Sequence, residues 1–263
     1  MLSRRDFLKL GGAALLTSAF SSIDLPAGQD VTPAPFIEHG SRNHHYIAIT
    51  FDDCWHPDVL EQLSEIVAPY PDYRLTYFAV GDALQINEAV SPGIWRRLNQ
   101  RGHEIGYHTM HHYNPQTMST QALVADYDQW IDVLHQVLGF LPAVRFAKPP
   151  YNNLSPSFQE MCAQRSLVAT GYSIGFEGST VEDGLNAAKH VQDGDIVQMH
   201  TYQDPKQGRL DVSITEAVVP YLAEQEMGLV TMSRLYDDLL REQNSSDGCA
   251  IGRGESLTRT CLD

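Results

Sequence analysis

Short apolar runs alternate with amphipathic stretches along most of the chain. Seven of these runs are rich in β-branched or aromatic residues and predict strands: YIAITF (46–51), LTYFAV (75–80), EIGYH (104–108), VRFAK (144–148), LVATGYSI (167–174), DIVQMH (195–200) and LVTMS (229–233). Buried parallel strands have this composition because both of their faces are covered.

Helix signals lie between these runs. Ser91-Pro92 and Ser155-Pro156 each predict the start of a helix. After Ser119, apolar residues recur at helical spacing, namely Leu123, Tyr127, Ile131, Leu134 and Leu138. Strands that alternate with helices predict an α/β fold, either a barrel or a doubly wound sheet, in one domain.

The first residues have the pattern of an export signal. Arg4 and Arg5 precede a short, weakly apolar run that ends near Phe20, which is typical of a twin-arginine signal. The run is about half as long as a bilayer span, so we expect no membrane span in the mature chain. We predict a signal over residues 1–27, a linker over 28–43, one domain over 44–240 and a tail over 241–263, with the protein exported to the periplasm or beyond.

Charge and cysteine content narrow the class of protein. The net charge of −15 would repel nucleic acid and anionic membrane surfaces, so a neutral or cationic partner suits the chain better. Cys249 and Cys261 bracket a polar tail segment, and export would permit a disulfide between them. We interpret Cys162 as a buried thiol on a helix face.

The first predicted strand ends in two adjacent carboxylates, Asp52 and Asp53, within TFDDCW. Functional groups of parallel α/β folds gather at the C-terminal ends of strands. Adjacent strand residues point to opposite faces, but where a strand ends the chain turns and both side chains can reach one site. Carboxylates beside an apolar run are costly unless they are ligated or hydrogen-bonded. The pair therefore marks either a functional site or the cap of the next helix.

The segment HEIGYHTMHH (103–112) contains four of the chain's eleven histidines. His108 and His112 are four residues apart and share a face if the chain turns helically there. Two histidines and one carboxylate, with open positions for water, are the ligands of hydrolytic zinc, and non-haem iron uses the same types. We interpret His103 and His111 as structural or surface residues.

Two further segments reach the same predicted rim. The sixth strand ends in DIVQMHT and brings His200 there, unless the strand simply surfaces at that point. After the fourth strand, KPPYNN supplies Tyr151 in a rigid turn whose backbone N–H could face the site.

In this order, the clusters resemble the motifs of the polysaccharide deacetylase family (carbohydrate esterase family 4, the NodB homology domain). TFDDC resembles the family's TFDDG, GHEIGYHTMHH its GHEIGNHTxxH and KPPYN its RPPYG, and IVQMHT corresponds to its late strand ending in histidine. The resemblance covers roughly residues 44–240. It implies a distorted (β/α) barrel of about seven parallel strands in a single domain, a divalent metal, usually zinc, and hydrolysis of an N- or O-acetyl group on a sugar.

The resemblance also implies a role for each matching residue. Asp52 would be the general base and His200 the general acid that protonates the departing amine. The backbone N–H of Tyr151 would help to stabilise the oxyanion. The implied metal ligands are Asp53, His108 and His112. A poor leaving group needs such an acid opposite the base, so the set is chemically coherent.

Several positions depart from the family pattern. Lys148 stands where the family has the Arg that orients the base, and Lys lacks the planar fork of Arg. Asn152 and Cys54 each replace a Gly, and Cys54 puts a thiol near the site. The family's Asp and Trp segment, which tunes the acid histidine and lines the acetyl pocket, is absent. YSIGFEGST stands there, with Glu177 as its one acidic candidate.

The sequence thus favours an exported, metal-dependent enzyme that removes acetyl groups from a sugar or a cell-envelope glycan. One alternative is a hydrolase of a small non-sugar amide on the same fold. Another is a catalytically weak glycan-binding protein that keeps the metal, which the altered Lys148 and the lost segment favour. The persistence of the base, ligand and acid candidates argues against it.

Overall fold

The computed structural model describes the backbone of residues 34–251 and the side chains of residues 34–245. These residues belong to one compact unit. The predicted export signal and the side chains of Cys249 and Cys261 lie outside the described residues, so both expectations remain predictions.

All strand pairings along the sheet are parallel. The strands of the described chain are β1 (Phe36–Ile37), β2 (Tyr46–Asp53), β3 (Thr76–Ala79), β4 (Glu104–Tyr107), β5 (Phe146–Ala147), β6 (Val168–Thr170), β7 (Ile174–Gly175), β8 (Ile196–His200) and β9 (Gly228–Leu229). Their order is β1-β6-β5-β4-β3-β2-β8-β7, and β9 pairs with β2. The predicted distorted (β/α) barrel in a single domain is confirmed.

Helices follow most of the strands. They are α1 (Pro57–Val67), α2 (Gly81–Val90), α3 (Ile94–Gln100), α4 (Thr120–Leu138), α5 (Pro156–Gln164), α6 (Val181–Ala188), α7 (Pro205–Glu224) and α8 (Met232–Ile251). Two predicted starts are confirmed, because the Ser119 and Ser155 hydroxyls accept hydrogen bonds from the first-turn N–H groups of α4 and α5.

The structure differs from the predicted elements in four places. The run over 167–174 forms two strands, because β6 pairs with β5 while β7 pairs with β8. Of the run over 229–233, only its first residue is in a strand, and α8 begins at Met232. β1 lies within the predicted linker and has only two residues, which is too short for a periodic pattern. α8 also continues past residue 240, where we expected the domain to end.

The two faces of the sheet pack against different helices. Ile47 and Ile49 belong to the core that includes Leu60 of α1 and Leu134 of α4. The intervening Ala48 belongs to a second core on the opposite face, where α8 contributes Met232, Leu235 and Tyr236. Because side chains alternate along a strand, Asp52 points to the same side as Ala48. The face that α8 covers therefore carries this carboxylate at its C-terminal edge.

Candidate active site

The paired strands β2 and β8 place the predicted base beside the predicted acid. Asp52 is the register partner of His200, and register partners in adjacent parallel strands point to the same face of a sheet. The His200 Nε2 atom lies 3.8 Å from Asp52 Oδ2. The Asp52 side chain is 2% exposed, and its second oxygen, Oδ1, has no hydrogen-bond partner in the described protein.

Lys148 compensates the buried charge of Asp52. Its Nζ atom lies 2.9 Å from Asp52 Oδ2, and the Lys148 side chain is 0% exposed. The rings of Phe78 and Tyr172 lie beside the ammonium, with centroids 5.8 and 5.5 Å away. β5 and β2 are three strands apart, which is ~14 Å in a flat sheet. Curvature of the sheet therefore makes this contact possible.

Asp53, His108 and His112 converge on one point. Their candidate ligand atoms all lie within 4.8 Å of one another. The Asp53 Oδ1 atom is 3.5 Å from His108 Nε2 and 3.1 Å from His112 Nε2. The histidine segment forms bends instead of the helical turn that the spacing suggested, and positive φ angles at Thr109 and His112 bring the two rings together.

The orientation of the His108 ring fits a cation at this point. Its Nδ1–H donates to the backbone carbonyl of Lys148 at 2.8 Å, so Nε2 faces Asp53 and carries the lone pair whenever the ring is neutral. A lone pair facing a buried carboxylate oxygen is unfavourable unless a cation lies between them. The residues therefore fit a divalent metal.

Asp126 on α4 holds the histidine segment in place. Its Oδ1 atom accepts hydrogen bonds from the backbone N–H of Met110, at 2.7 Å, and from the hydroxyl of Tyr107. Gly81, after β3, allows the segment to pack closely, because a Cβ there would lie 2.1 Å from the Met110 sulfur. The sequence interpretation missed Asp126. Its signal was a carboxylate on the apolar face of α4, three residues after Leu123.

Strained backbone is concentrated at this edge of the sheet. Among the described residues, these non-glycine positions near the ends of β2, β4 and β5 have φ angles between +54° and +67°: Asp53, Cys54, His56, Thr109, His112, Tyr151 and Asn152. Each such residue costs about 1–3 kcal/mol, and strain of this kind clusters at functional sites.

His200 is held by Glu177, which follows β7. The His200 Nδ1 atom forms a short hydrogen bond with Glu177 Oε1. Burial tends to lower the pKa of His200, but the Glu177 hydrogen bond and the nearby charges of Asp52 and Asp53 outweigh burial and raise it. The structure thus brings together the two residues that the sequence paired only by analogy.

The remaining candidates take different positions. Tyr151 is 62% exposed, and its ring centroid lies 4.7 Å from that of His112. Cys54 and Cys162 are buried free thiols. The Cys54 thiol donates to the Phe51 carbonyl, and burial raises its pKa well above the usual range.

The other two histidines of the segment HEIGYHTMHH are not among the three converging residues. His103 is buried and hydrogen-bonded to Ser64, and burial lowers its pKa to about 4. His111 is exposed and pairs with Asp82.

Asp53, His112 and Glu177 line a cleft of about 930 Å³. Aromatic rings line much of it, from Trp55, Tyr113, Tyr151 and Tyr202. Carboxylates of Asp82, Glu177 and Asp204 also face it, whereas no lysine or arginine of the described chain does. Such a cleft favours a neutral or cationic ligand with apolar faces.

Comparison with known proteins places the chain in a family. The family model for Polysaccharide deacetylase matches residues 39–167. A peptidoglycan-N-acetylglucosamine deacetylase of Bacillus cereus is 22% identical over 208 residues, which are 75% of this chain and 70% of that protein. A peptidoglycan-N-acetylglucosamine deacetylase of Listeria monocytogenes is 24% identical over 234 residues, 86% of this chain but only 45% of that longer relative.

The fold agrees with that comparison. The crystal structure of the Bc1960 peptidoglycan N-acetylglucosamine deacetylase superposes with a TM-score of 0.68 at 20% identity, over 78% of this chain and 94% of that chain. The family match spans β2 to β5, and so it includes Asp52, Asp53, His108, His112 and Lys148. On this evidence, the chain belongs to the polysaccharide deacetylase family.

Proposed function

We propose that the protein is a metal-dependent hydrolase that removes acetyl groups from an acetylated glycan, with N-acetylglucosamine units of peptidoglycan as the first candidate. The observation that carries this proposal is the convergence of the Asp53, His108 and His112 ligand atoms beside the buried Asp52–Lys148 pair. Asp53 and His112 also line the cleft of about 930 Å³. The names of the relatives support the glycan as substrate.

The metal site would be formed by Asp53, His108 and His112, and zinc suits these nitrogen and oxygen ligands. A divalent ion held there would supply a Lewis acid that polarises the acetyl carbonyl. The hydrogen bond from His108 Nδ1 to the Lys148 carbonyl fixes the ring so that Nε2 is the ligand atom.

Asp52 would act as the general base. The Lys148 ammonium compensates the charge of this buried carboxylate, and the partnerless Oδ1 atom remains able to accept a proton from the attacking water. Proton transfer by a positioned side chain contributes about 10²–10⁴-fold to a rate.

His200 would act as the general acid. Its Nδ1 atom is bound by Glu177, so Nε2 is the ring nitrogen that delivers a proton to the departing amine. Glu177 raises the pKa of His200 and so favours the protonated acid near neutral pH. The backbone N–H of Tyr151 would stabilise the oxyanion that develops on the carbonyl oxygen.

The cleft is suited to sugar rings. Pyranose rings present apolar C–H faces, and the exposed ring of Tyr151 lies next to His112, beside the proposed reaction centre. The absence of lysine and arginine from the described lining disfavours an anionic substrate. These features support a neutral N-acetylated unit within a glycan chain.

We infer that the protein works outside the cytoplasm, after export by the twin-arginine route. The Arg4-Arg5 pair before a short apolar run supports this. Within the described part of the chain, the helices are too short or too polar to cross a membrane.

The test combines metal analysis with acetate-release assays on chitin oligomers, peptidoglycan fragments and small acetamides. The expected result is one zinc ion per chain and acetate release from the glycans. Asp52→Asn should lower turnover by about 10²–10⁴-fold and retain the metal, because the ligands are unchanged. Asp58→Asn, at an exposed position of α1, is the matched control. Acetate release from small acetamides alone would overturn the choice of a glycan as substrate. Full turnover by Asp52→Asn would overturn the role of Asp52 as the general base.

A further inference from the structure

Tyr202 contacts both members of the proposed acid pair. It lies two residues after His200, beyond the end of β8. The rings of Tyr202 and His200 stack, with centroids 4.6 Å apart and an interplanar angle of 17°. The Tyr202 hydroxyl donates to Glu177 Oε2 at 3.2 Å, while the other carboxylate oxygen, Oε1, binds His200 Nδ1. Tyr202, Glu177 and His200 therefore form a closed triangle of contacts.

The triangle restrains side chains that are otherwise free to move. Glu177 is 26% exposed at its side chain and lies on the irregular segment between β7 and α6. A glutamate in such a place loses rotamer entropy when it is held, and the Tyr202 hydroxyl offers it a second anchor. The stacked ring limits rotation of the imidazole. Burial, followed by the Glu177 carboxylate, raises the pKa of the Tyr202 hydroxyl, so that hydroxyl stays protonated and keeps donating.

We propose that Tyr202 is a positioning residue that holds the Glu177–His200 pair. The inference rests on the proposed function, because it presumes that His200 delivers a proton to the leaving amine. Holding the pair keeps His200 Nε2 beside Asp52, at 3.8 Å from Oδ2.

A competing role for Tyr202 is sugar binding, because its ring also lines the cleft. The two roles change different kinetic constants. A residue that binds substrate equally in the ground and transition states changes KM, whereas a residue that orients the acid changes kcat for the step that needs the acid. Only amide cleavage needs the acid, since the aryloxide released from an aryl ester leaves without a proton.

The experiment uses Tyr202→Phe and Tyr202→Ala in the full chain, with chitin oligomers and an aryl acetate as substrates. Tyr202→Phe keeps the stacked ring and loses the bond to Glu177, and we expect kcat for the amide to fall about three- to tenfold. Tyr202→Ala loses both contacts, and the fall should be larger. Aryl acetate rates, metal content and KM for the oligomers should change little.

The pH profile adds a readout that a merely structural residue would not move. The ionisable groups that influence His200 are Asp52 and Asp53 from β2, Glu177 after β7 and Asp211 from α7. Since the acid works while protonated, activity falls as pH rises through its pKa. A loosened Glu177 contact removes an interaction that raises this pKa, so the alkaline limb should move to lower pH in both Tyr202 variants.

Tyr113→Ala is the matched cleft variant, because Tyr113 lines the same cleft but its ring contacts that of His111. It should change KM alone. The inference is wrong if the Tyr202 variants behave like Tyr113→Ala, or if amide and ester rates fall equally. His200→Ala separates the two proposals. If it slows amide cleavage selectively and the Tyr202 variants do not, only the role of Tyr202 fails. If it slows amide and ester equally, the acid role fails, and the role of Tyr202 with it.

Discussion

Lys148 and Asp52 form a buried ion pair. A lysine provides one point charge where the family's arginine provides a planar fork. Asp52 Oδ1 is left without a protein partner, as a base needs. The rings of Phe78 and Tyr172 flank the ammonium, and such contacts favour a cation at this buried position.

Lys148→Met should destabilise the protein by about 3–5 kcal/mol, because it leaves a buried carboxylate without its partner. Chemical unfolding in urea would measure the loss. The double variant Lys148→Met with Asp52→Asn should recover much of the stability, since neither residue then carries a charge. Equal stability of the single and double variants would contradict the pairing.

At the scale of elements, strand ends and one helix face build the site. Pairing of β2 with β8 places Asp52 opposite His200. The histidine segment after β4 is fixed on both sides: the carbonyls of Thr109 and Met110 accept the first N–H groups of α2, and Asp126 of α4 accepts the N–H of Met110. The two candidate histidine ligands are thus positioned by helices that carry no candidate ligand themselves.

Asp126→Ala should weaken both the metal site and the fold. It leaves the Met110 N–H and the Tyr107 hydroxyl without their acceptor, which costs about 1–3 kcal/mol. A looser segment should also bind the metal about tenfold or more weakly. Competition with a chelator and urea unfolding would measure the two effects. The control is Asp132→Ala, at an exposed position of the same helix, and equal losses in both variants would contradict the role of Asp126.

At the scale of the whole molecule, curvature of the sheet joins distant parts of the chain. Lys148 reaches Asp52 across two intervening strands. α8 packs on the same face of the sheet, through Met232, Leu235 and Tyr236. One face therefore carries an apolar core along its length and the charged site at its C-terminal edge.

Metal binding should stabilise the whole fold. A ligand that binds only the native state, at a free concentration 1,000 times its Kd, adds about 4 kcal/mol to the free energy of unfolding. Removal of the metal by a chelator should therefore lower Tm measurably. His108→Ala should abolish the metal-dependent rise in Tm and empty the site. His111→Ala should leave both unchanged, because His111 pairs with Asp82 and is not one of the converging residues. Equal metal loss in the two variants would overturn the ligand assignment.

The export prediction also concerns the whole molecule. Changing Arg4 and Arg5 together to lysine should leave the precursor in the cytoplasm, because the twin-arginine route requires the pair. Fractionation of expressing cells with an antibody to the folded domain would show this. Normal export of the double variant would count against the route, while leaving the enzyme proposals untouched.

Local sequence patterns predicted much of this protein's secondary structure and the position of its candidate site. Apolar periodicity predicted β2, β3, β4 and β8 close to their observed limits, and polar residues at their ends marked the site. The Ser119 and Ser155 caps were readable because capping is a local interaction. The division of residues 167–174 into β6 and β7 could not be predicted from the sequence, because the two halves pair with different strands, β5 and β8.

The sequence by itself therefore determined the α/β fold, its family and the residue types of the metal site, since those depend on short-range pattern and motif. Only the tertiary structure decided which groups meet. Glu177 reaches His200 because β7 lies beside β8, and Lys148 reaches Asp52 because the sheet curves. Asp126 supports the histidine segment because α4 packs beneath it. Such contacts depend on strand order and curvature, which result from the packing of the whole chain and leave no periodic signal in the sequence.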